Sequence, residues 1–302
     1  MTIRPRRSIL YMPGSNARTI EKARTLAVDG IILDLEDAVA PDAKAQARHR
    51  VVDAVVAGGF GHREVFVRIN GLDTEWGNDD LTAASAVAPD AILVPKVSTP
   101  GQLELIGQRL FDMHTDLRTR VWIMIETPLA IFNAPALAAC AKDSETRLSG
   151  FVLGTNDLAK ETRARVLPGR APMVPWLMAC IAAARIYGID VMDGVYNDIA
   201  DAEGFARECA QARDMGFDGK TLIHPSQIGP CNAAFSPTAE EIAEAKKIIA
   251  VFDAPENQGQ GVVALDGRMV ERMHAEMARR TVAIAEAIAM AEDGRQTTED
   301  RR

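Results

Sequence analysis

Eight short apolar segments, each followed by a segment with helical periodicity, constrain the fold of this chain more than any other feature of its sequence. Nearly continuous apolar strands that alternate with helices are typical of a parallel sheet covered on both faces. Eight such units suit closure into a (β/α)₈ TIM barrel, and 302 residues fit within one domain of that type. The apolar segments lie at residues 8–12, 30–37, 64–70, 91–97, 121–128, 150–157, 191–195 and 220–225.

A doubly wound open sheet is the alternative fold, and the motifs that would support it are missing. No Gly-x-Gly-x-x-Gly follows the first strand, and the chain has no complete Gly-x-x-x-x-Gly-Lys-Ser/Thr phosphate-binding loop. We therefore expect residues 1–235 to form a catalytic barrel. Residues 236–302 are expected to form a C-terminal helical lid extension, with a glycine-rich hinge at residues 258–261 and a disordered tail from Arg295.

The composition argues against several classes of function. A net charge of −8 and a pI near 5.3 disfavour broad electrostatic binding of nucleic acid or of an anionic membrane. The four cysteines lie far apart without a Cys-x-x-Cys pair, so neither a zinc cluster nor a redox pair is expected. No apolar run approaches the about 20 residues that span a bilayer, and the N-terminus lacks the apolar region of a signal peptide. The sequence predicts a cytoplasmic protein with reduced thiols.

Two acids lie at the carboxyl ends of the fifth and sixth segments. Glu126 comes directly after one run and Asp157 after the next. The carboxyl ends of barrel strands face the active site, so these carboxylates are expected to point into the same space. Such a pair can hold a hard divalent cation, Mg²⁺ or alternatively Mn²⁺, and leave coordination positions open for a substrate. The structural alternative is that each acid caps the helix that follows it.

Arg68 lies near the end of the third segment, and its guanidinium suits bidentate binding of a substrate carboxylate. The alternative, compatible with the first, is a buried ion pair with Asp34 or Glu36. Together with Asp37, these two acids are expected either to orient Arg68 or metal-bound water, or to act as direct ligands.

For each of four further polar residues at strand ends, the sequence allows two interpretations. Lys96 and Lys220 suit either Schiff-base chemistry or structural pairing with carboxylates. His224, before a proline, suits an orienting role better than that of a base, and Asp193 is left open between site and structure.

Seven motifs in the same order make the chain resemble the citrate lyase β-subunit-like group of the HpcH/HpaI aldolase superfamily, from residue 7 to about residue 271. That group includes malyl-CoA, β-methylmalyl-CoA and citramalyl-CoA lyases. The motifs are Arg7-Ser-Ile-Leu-Tyr-Met-Pro-Gly-Ser15, Leu33-Asp-Leu-Glu-Asp-Ala-Val39, Val67-Arg-Ile-Asn70, Pro95-Lys96, Ile125-Glu-Thr127, Gly154-Thr-Asn-Asp-Leu158 and Gly219-Lys-x-x-Ile-His-Pro225.

The resemblance implies a homotrimeric or hexameric barrel enzyme whose lid reaches a neighbouring subunit. Its metal ligands would be Glu126 and Asp157, and its reaction the reversible carbon–carbon cleavage of a 3-hydroxyacyl-CoA. The products would be acetyl- or propionyl-CoA and a 2-oxo acid, glyoxylate or pyruvate. The residues that the resemblance assigns to substrate binding are Pro13, Gly14, Asp34, Glu36, Arg68 and Glu126, and Arg68 would also take part in catalysis.

The chain differs from related lyases at one acidic residue of the C-terminal lid. Related lyases carry Asp in a Gly-x-Met-Ile/Val-Asp pattern, whereas Glu271 ends the corresponding Gly267-Arg-Met-Val segment here. Glu271 can perform the same proton transfer, but one extra methylene moves its carboxyl by roughly an ångström. Asp266 is a lower-ranked substitute.

Three other functions remain open beside the lyase. The first is a thioesterase on malyl-type CoA esters, in which the lid acid activates water. The second is a citrate lyase β subunit that acts on a carrier-bound substrate, although the extension after Gly261 favours free CoA esters. A metal-binding regulatory barrel is disfavoured because Glu126, Asp157 and Arg68 are all present.

Overall fold

Eight parallel strands close into a barrel, which confirms the predicted (β/α)₈ fold. The structure, a computed structural model, describes the backbone of residues 3–299 and the side chains up to residue 293. The first strand pairs with both the second and the eighth, so the sheet has no free edge. The barrel strands are β1 (Ser8–Pro13), β2 (Gly30–Asp34), β3 (Glu64–Arg68), β4 (Ala91–Val94), β5 (Arg120–Ile125), β6 (Leu148–Leu153), β7 (Asp190–Asp193) and β8 (Gly219–Leu222).

Helices follow the strands and cover the outside of the barrel. Several begin at side-chain caps that the sequence supplies, such as Asn16, Thr99 and Thr127. The helices of this unit are α1 (Ala17–Ala23), α2 (Lys44–Ala57), α3 (Gly77–Val87), α4 (Pro100–Asp112), α5 (Pro128–Ala139), α6 (Thr155–Thr162), α7 (Val174–Tyr187), α8 (Ala202–Met215) and α9 (Ile228–Phe235).

Alternation along each strand divides the core into two layers. Successive strand residues point to opposite faces, so every second side chain enters the barrel lumen. The lumen is filled around Trp122, which meets Phe66 edge to face at 5.3 Å between ring centroids. The other strand positions, such as Ile123 and Ile125, pack against the helices. Continuous apolar runs are therefore needed here because both faces of each strand are buried.

The chain divides into two compact units. Residues 6–235 form the barrel unit, and residues 236–299 belong to the second unit together with residues 3–5. The second unit contains α10 (Ala239–Asp253), β9 (Val262–Leu265), β10 (Arg268–Glu271) and α11 (Arg272–Glu299). Residues 295–299 of the predicted tail thus lie in α11, and residues 300–302 lie outside the described residues. Within residues 3–299, no helix is both long and apolar enough to cross a membrane.

The second unit contains a hairpin in addition to its helices. Strands β9 and β10 pair antiparallel, with Leu265 opposite Arg268. Asp266 and Gly267 between them have φ values of 48° and 77°. Positive φ at both central residues is the signature of the hairpin turn that Asp-Gly favours, so the sequence did contain the signal.

Candidate active site

Four side chains from four strands enter the lumen at its carboxyl end, above the apolar layer. Tyr11 lies two residues after Ile9, a lumen residue, and Arg68 lies two residues after Phe66. The same spacing places Asp34 after Ile32 and Glu126 after Met124. The period of two that fills the lumen with apolar side chains therefore also delivers these polar groups to its mouth.

Arg68 is buried, and Asp34, Tyr11 and Glu36 are among the residues that contact its guanidinium. Its Nε and Nη2 atoms donate to the two oxygens of Asp34, each at 2.7 Å. Its guanidinium lies over the ring of Tyr11, with the central carbon 4.7 Å from the ring centroid. Nη1 lies 2.8 Å from Oε2 of Glu36. The structure thus contains the buried ion pair that the sequence offered as one interpretation of Arg68, and its binding of a substrate carboxylate stays a prediction.

Asp34 and Glu36 have different surroundings. Asp34 also accepts hydrogen bonds from the backbone amides of Glu36 and Ala38, so both of its oxygens are occupied and it positions Arg68. Oε2 of Glu36 is buried and accepts no hydrogen bond of acceptable geometry, although Arg68 lies close to it. Burial raises the pKa of Glu36 to about 8, with Arg68 acting in the opposite direction. The contact of either acid with substrate stays a prediction.

Glu126 is 1% exposed and depends on a glycine beside it. A Cβ atom at Gly154 would lie 2.4 Å from Cβ of Glu126 and 2.6 Å from its Oε2. These separations are far below van der Waals contact, so the side chain of Glu126 occupies the space that any larger residue at position 154 would fill. Burial raises the pKa of Glu126, the Lys96 ammonium acts against this rise, and the Asp157 carboxylate adds to it.

Asp157 lies in the first turn of α6, where the partial positive charge of the helix N-terminus favours a carboxylate. Its Oδ1 atom accepts a hydrogen bond from Nζ of Lys96 at 3.1 Å. The same ammonium lies 3.8 Å from Oε1 of Glu126, and the backbone N–H of Lys96 donates to that oxygen at 2.8 Å. The two acids therefore face one cation, and Lys96 has the structural carboxylate pairing that was one of its two interpretations.

This arrangement fits a magnesium ion. Mg²⁺ is usually held in proteins by one or two carboxylates, with water and substrate completing its octahedron. Glu126 and Asp157 supply those two carboxylates. Among the described residues, no group of three or more His, Cys, Asp or Glu side chains is arranged as a complete ligand cage. The site therefore suits a metal that shares its coordination sphere with a ligand.

Asp193 and Lys220 are not brought to this mouth. Asp193 follows the lumen residue Met192, so its side chain points outward, between the barrel and the helices. Nζ of Lys220 donates to Asp193 and to Glu208 of α8, both at 2.7 Å, and Nη1 of Arg170 donates to Asp193 at 2.6 Å. Burial alone would lower the pKa of Lys220, but the carboxylates raise it above the ordinary lysine value. A fully buried, protonated lysine does not serve as a Schiff-base nucleophile.

His224 and the first βα loop have local structural roles. Nδ1 of His224 accepts from the backbone N–H of Ser226 at 3.2 Å and caps a short helix. Pro13 ends β1 opposite Asp34, and the N–H of Gly14 donates to the Asp34 carbonyl at 2.8 Å. This loop thus lies beside the mouth, whereas its predicted contact with CoA stays a prediction.

Sequence reasoning missed two residues around the mouth. Tyr11 stacks on Arg68, and its position two residues after Ile9 was the available signal. Lys44 is buried and donates to the carbonyls of Leu35 and Glu36 and to Oδ1 of Asn70, at 2.9, 2.7 and 2.7 Å. It therefore fixes the backbone that carries Glu36, and no local pattern around Lys44 indicated this role.

Glu271 belongs to the second unit. It is the last residue of β10, its side chain is exposed, and its backbone N–H donates to Nδ1 of His274 at 2.8 Å. Its predicted function as the lid acid stays a prediction.

Comparison with known proteins identifies a family that this chain matches. Residues 7–225 match the family described as HpcH/HpaI aldolase/citrate lyase. A (3S)-malyl-CoA thioesterase of Cereibacter sphaeroides is 49% identical over 94% of this chain and 96% of its own length. The citrate lyase subunit beta of Escherichia coli K12 is 32% identical over 96% of both chains.

A solved structure has a similar fold over most of the chain. The protein CitE from Mycobacterium tuberculosis, in complex with magnesium, acetoacetate and coenzyme A, superposes with a TM-score of 0.75. The two sequences are 26% identical, and the match covers 95% of this chain and 100% of that one.

These findings correct the predicted activity. Carbon–carbon cleavage as the main reaction is wrong, because relatives at 49% identity are named thioesterases and the citrate lyase subunits reach only 32–34% among those compared. The alternative of a thioesterase is the better supported one. The length of the C-terminal extension does not distinguish enzymes that use free CoA esters from citrate lyase β subunits. The citrate lyase subunit beta of Escherichia coli K12 aligns with this chain over 96% of its own length.

Proposed function

Because the chain belongs to the HpcH/HpaI aldolase/citrate lyase family, we propose that it is a thioesterase that hydrolyses a malyl-CoA-like acyl-CoA. That it is an enzyme follows from the family and from its relatives. The observation that carries the proposal is the 49% identity with (3S)-malyl-CoA thioesterases over 94% of the chain. The barrel mouth supports it, because it combines buried acids with a guanidinium suited to a dicarboxylic acyl group.

In the proposed reaction, water adds to the thioester carbon and the carbon–sulfur bond breaks. One proton of the water passes to a base, the sulfur leaves as the CoA thiol after gaining a proton, and the acyl group leaves as malate. Arg68 would bind the free carboxylate of the malyl group, held in place by Asp34 and Tyr11. Glu271 would be the base that takes the proton from water.

Glu126 and Asp157 would hold Mg²⁺, with Mn²⁺ as the alternative. A bound divalent ion would act as a Lewis acid toward an oxygen of the substrate. Gly154 leaves room for the Glu126 side chain, Asp157 lies in the first turn of α6, and both carboxylates lie within 4 Å of the Lys96 ammonium, which supports their use as ligands to one ion. Support for magnesium comes from the neighbouring structure with Mg²⁺ and coenzyme A.

Product analysis tests the proposal. The purified enzyme is incubated with (3S)-malyl-CoA and Mg²⁺ in ¹⁸O-labelled water, and free thiol, glyoxylate and labelled malate are measured in the same sample. We expect one CoA thiol and one ¹⁸O-containing malate for each malyl-CoA consumed, without glyoxylate. Equal amounts of glyoxylate and acetyl-CoA, without free thiol, would contradict hydrolysis.

Assembly and location remain predictions. A homotrimer or hexamer whose extension reaches a neighbouring site is tested by light scattering after size-exclusion chromatography, and a monomer would overturn it. Location in the cytoplasm is tested by fractionation of the cells that produce the protein.

A further inference from the structure

Lys96 contacts both Glu126 and Asp157. It lies in the loop after β4, while Glu126 follows β5 and Asp157 lies at the start of α6. Its backbone N–H binds Glu126, and its ammonium lies 3.1 Å from Asp157 Oδ1 and 3.8 Å from Glu126 Oε1. One residue thus contacts both acids through two different groups. Within the described part of the chain, Glu126 and Asp157 form ion pairs with no other cation.

The backbone of Lys96 is strained, and the strain serves this contact. Its φ of 56° lies in the left-handed region, which is unfavourable for a residue with a side chain. Such a conformation persists where surrounding interactions hold it. Here the N–H is held by an almost fully buried carboxylate, so the turn that re-aims Lys96 toward the acids is part of the site.

The Lys96 side chain can leave without opening the barrel. It is 42% exposed, whereas Glu126 is buried and Asp157 is 24% exposed. The other nearby cation, Arg68, is fixed by Asp34 and Glu36 and is 7% exposed. Lys96 therefore differs from Arg68 in having both a short reach to the two acids and a route to solvent.

We propose that Lys96 is a built-in counter-cation of the Glu126–Asp157 pair. Its ammonium neutralises the two carboxylates when no divalent ion is bound, and it moves to solvent when a divalent ion takes the same two oxygens as ligands. This inference rests on the proposed metal role of the two acids. Lys96 is thus a positioning residue that keeps the metal-free mouth ordered and weakens metal binding by competition.

Calorimetric titration of the metal-free, full-length protein with MgCl₂ tests the proposal without any substrate. An ion pair worth about 1 kcal/mol corresponds to a factor of about five, so Lys96→Met should bind Mg²⁺ about fivefold more tightly than the wild type. Lys160→Met is the matched control, because Lys160 lies on the same helix as Asp157, is exposed, and pairs with neither acid. We expect its affinity to stay within about twofold of the wild type.

A second variant of Lys96 and the melting temperatures of the metal-free and Mg²⁺-loaded proteins test the same proposal. Lys96→Gly retains the N–H, relieves the positive φ and removes the ammonium, so it should tighten Mg²⁺ binding as Lys96→Met does. Without metal, Lys96→Met should melt at a lower temperature than the wild type, and Mg²⁺ should raise its melting temperature more. Unchanged or weaker Mg²⁺ affinity in both Lys96 variants, equal tightening in Lys160→Met, or no Mg²⁺ binding by the wild type would overturn the proposal. Failure of thioester hydrolysis would affect none of these readouts.

Discussion

Glu126 is held from two sides at the point where β5 ends. Gly154, which directly follows the neighbouring strand β6, leaves room for its side chain, and the N–H of Lys96 fixes one of its oxygens. Close packing of this kind sets the position of a ligand to a fraction of an ångström, which metal binding requires. The geometry of the site therefore depends on a residue that has no side chain.

Gly154→Ala tests this dependence. The added methyl group would overlap Cβ of Glu126, so Glu126 must move and Mg²⁺ affinity should fall at least about tenfold in a calorimetric titration. Gly101→Ala is the control, because a Cβ at position 101 meets no atom within 4 Å. Equal Mg²⁺ affinity in the two variants would show that Glu126 is not a ligand or that it tolerates displacement.

At the scale of the strands, the face on which a residue lies decides its role. Asp34, Arg68 and Glu126 occupy lumen positions, whereas Asp193 and Lys220 occupy the face toward the helices. The strands, their order and the acids at their ends could be predicted from apolar runs and chain order. The separation of Asp193 from the site required the alternation along β7, a strand of only four residues that provides a weak pattern.

Lys220→Met tests the structural role of the network between β7, β8 and α8. The substitution leaves Asp193 and Glu208 buried with less positive charge, so the free energy of unfolding should fall by about 3–5 kcal/mol in denaturant titration. The exposed control Lys160→Met should change it by less than about 0.5 kcal/mol. A Lys220→Met protein with wild-type stability and no turnover would instead indicate that Lys220 takes part in catalysis.

At the scale of the whole molecule, the sequence predicted the family but not the reaction. The motifs that carry the resemblance lie on the barrel and bind metal and substrate in the proposed scheme, and both thioesterases and citrate lyase subunits are similar to the chain over this region. Hydrolysis and carbon–carbon cleavage differ in where a proton is removed and whether water reaches the thioester. The motifs do not fix those properties, and the proposed scheme assigns the removal of the proton to Glu271, at the end of a hairpin that was not predicted.

Glu271→Ala tests the contribution of the second unit. If Glu271 takes a proton from water, turnover of malyl-CoA should fall about 100-fold or more, while Mg²⁺ affinity stays unchanged. Glu276→Ala removes an exposed acid one turn into α11 and should retain full turnover. Wild-type turnover in Glu271→Ala would exclude this residue as the base.

The most direct test of the account is the rate of CoA thiol release from (3S)-malyl-CoA by Asp157→Asn at saturating Mg²⁺. The substitution preserves the size of the side chain and removes one of the two charges proposed to hold the metal. We predict a rate at least about 100-fold below that of the wild type, while the metal-free variant still unfolds cooperatively and Mg²⁺ raises its melting temperature less than it raises that of the wild type. Thiol release at the wild-type rate would contradict the assignment of the reaction to the Glu126–Asp157 pair.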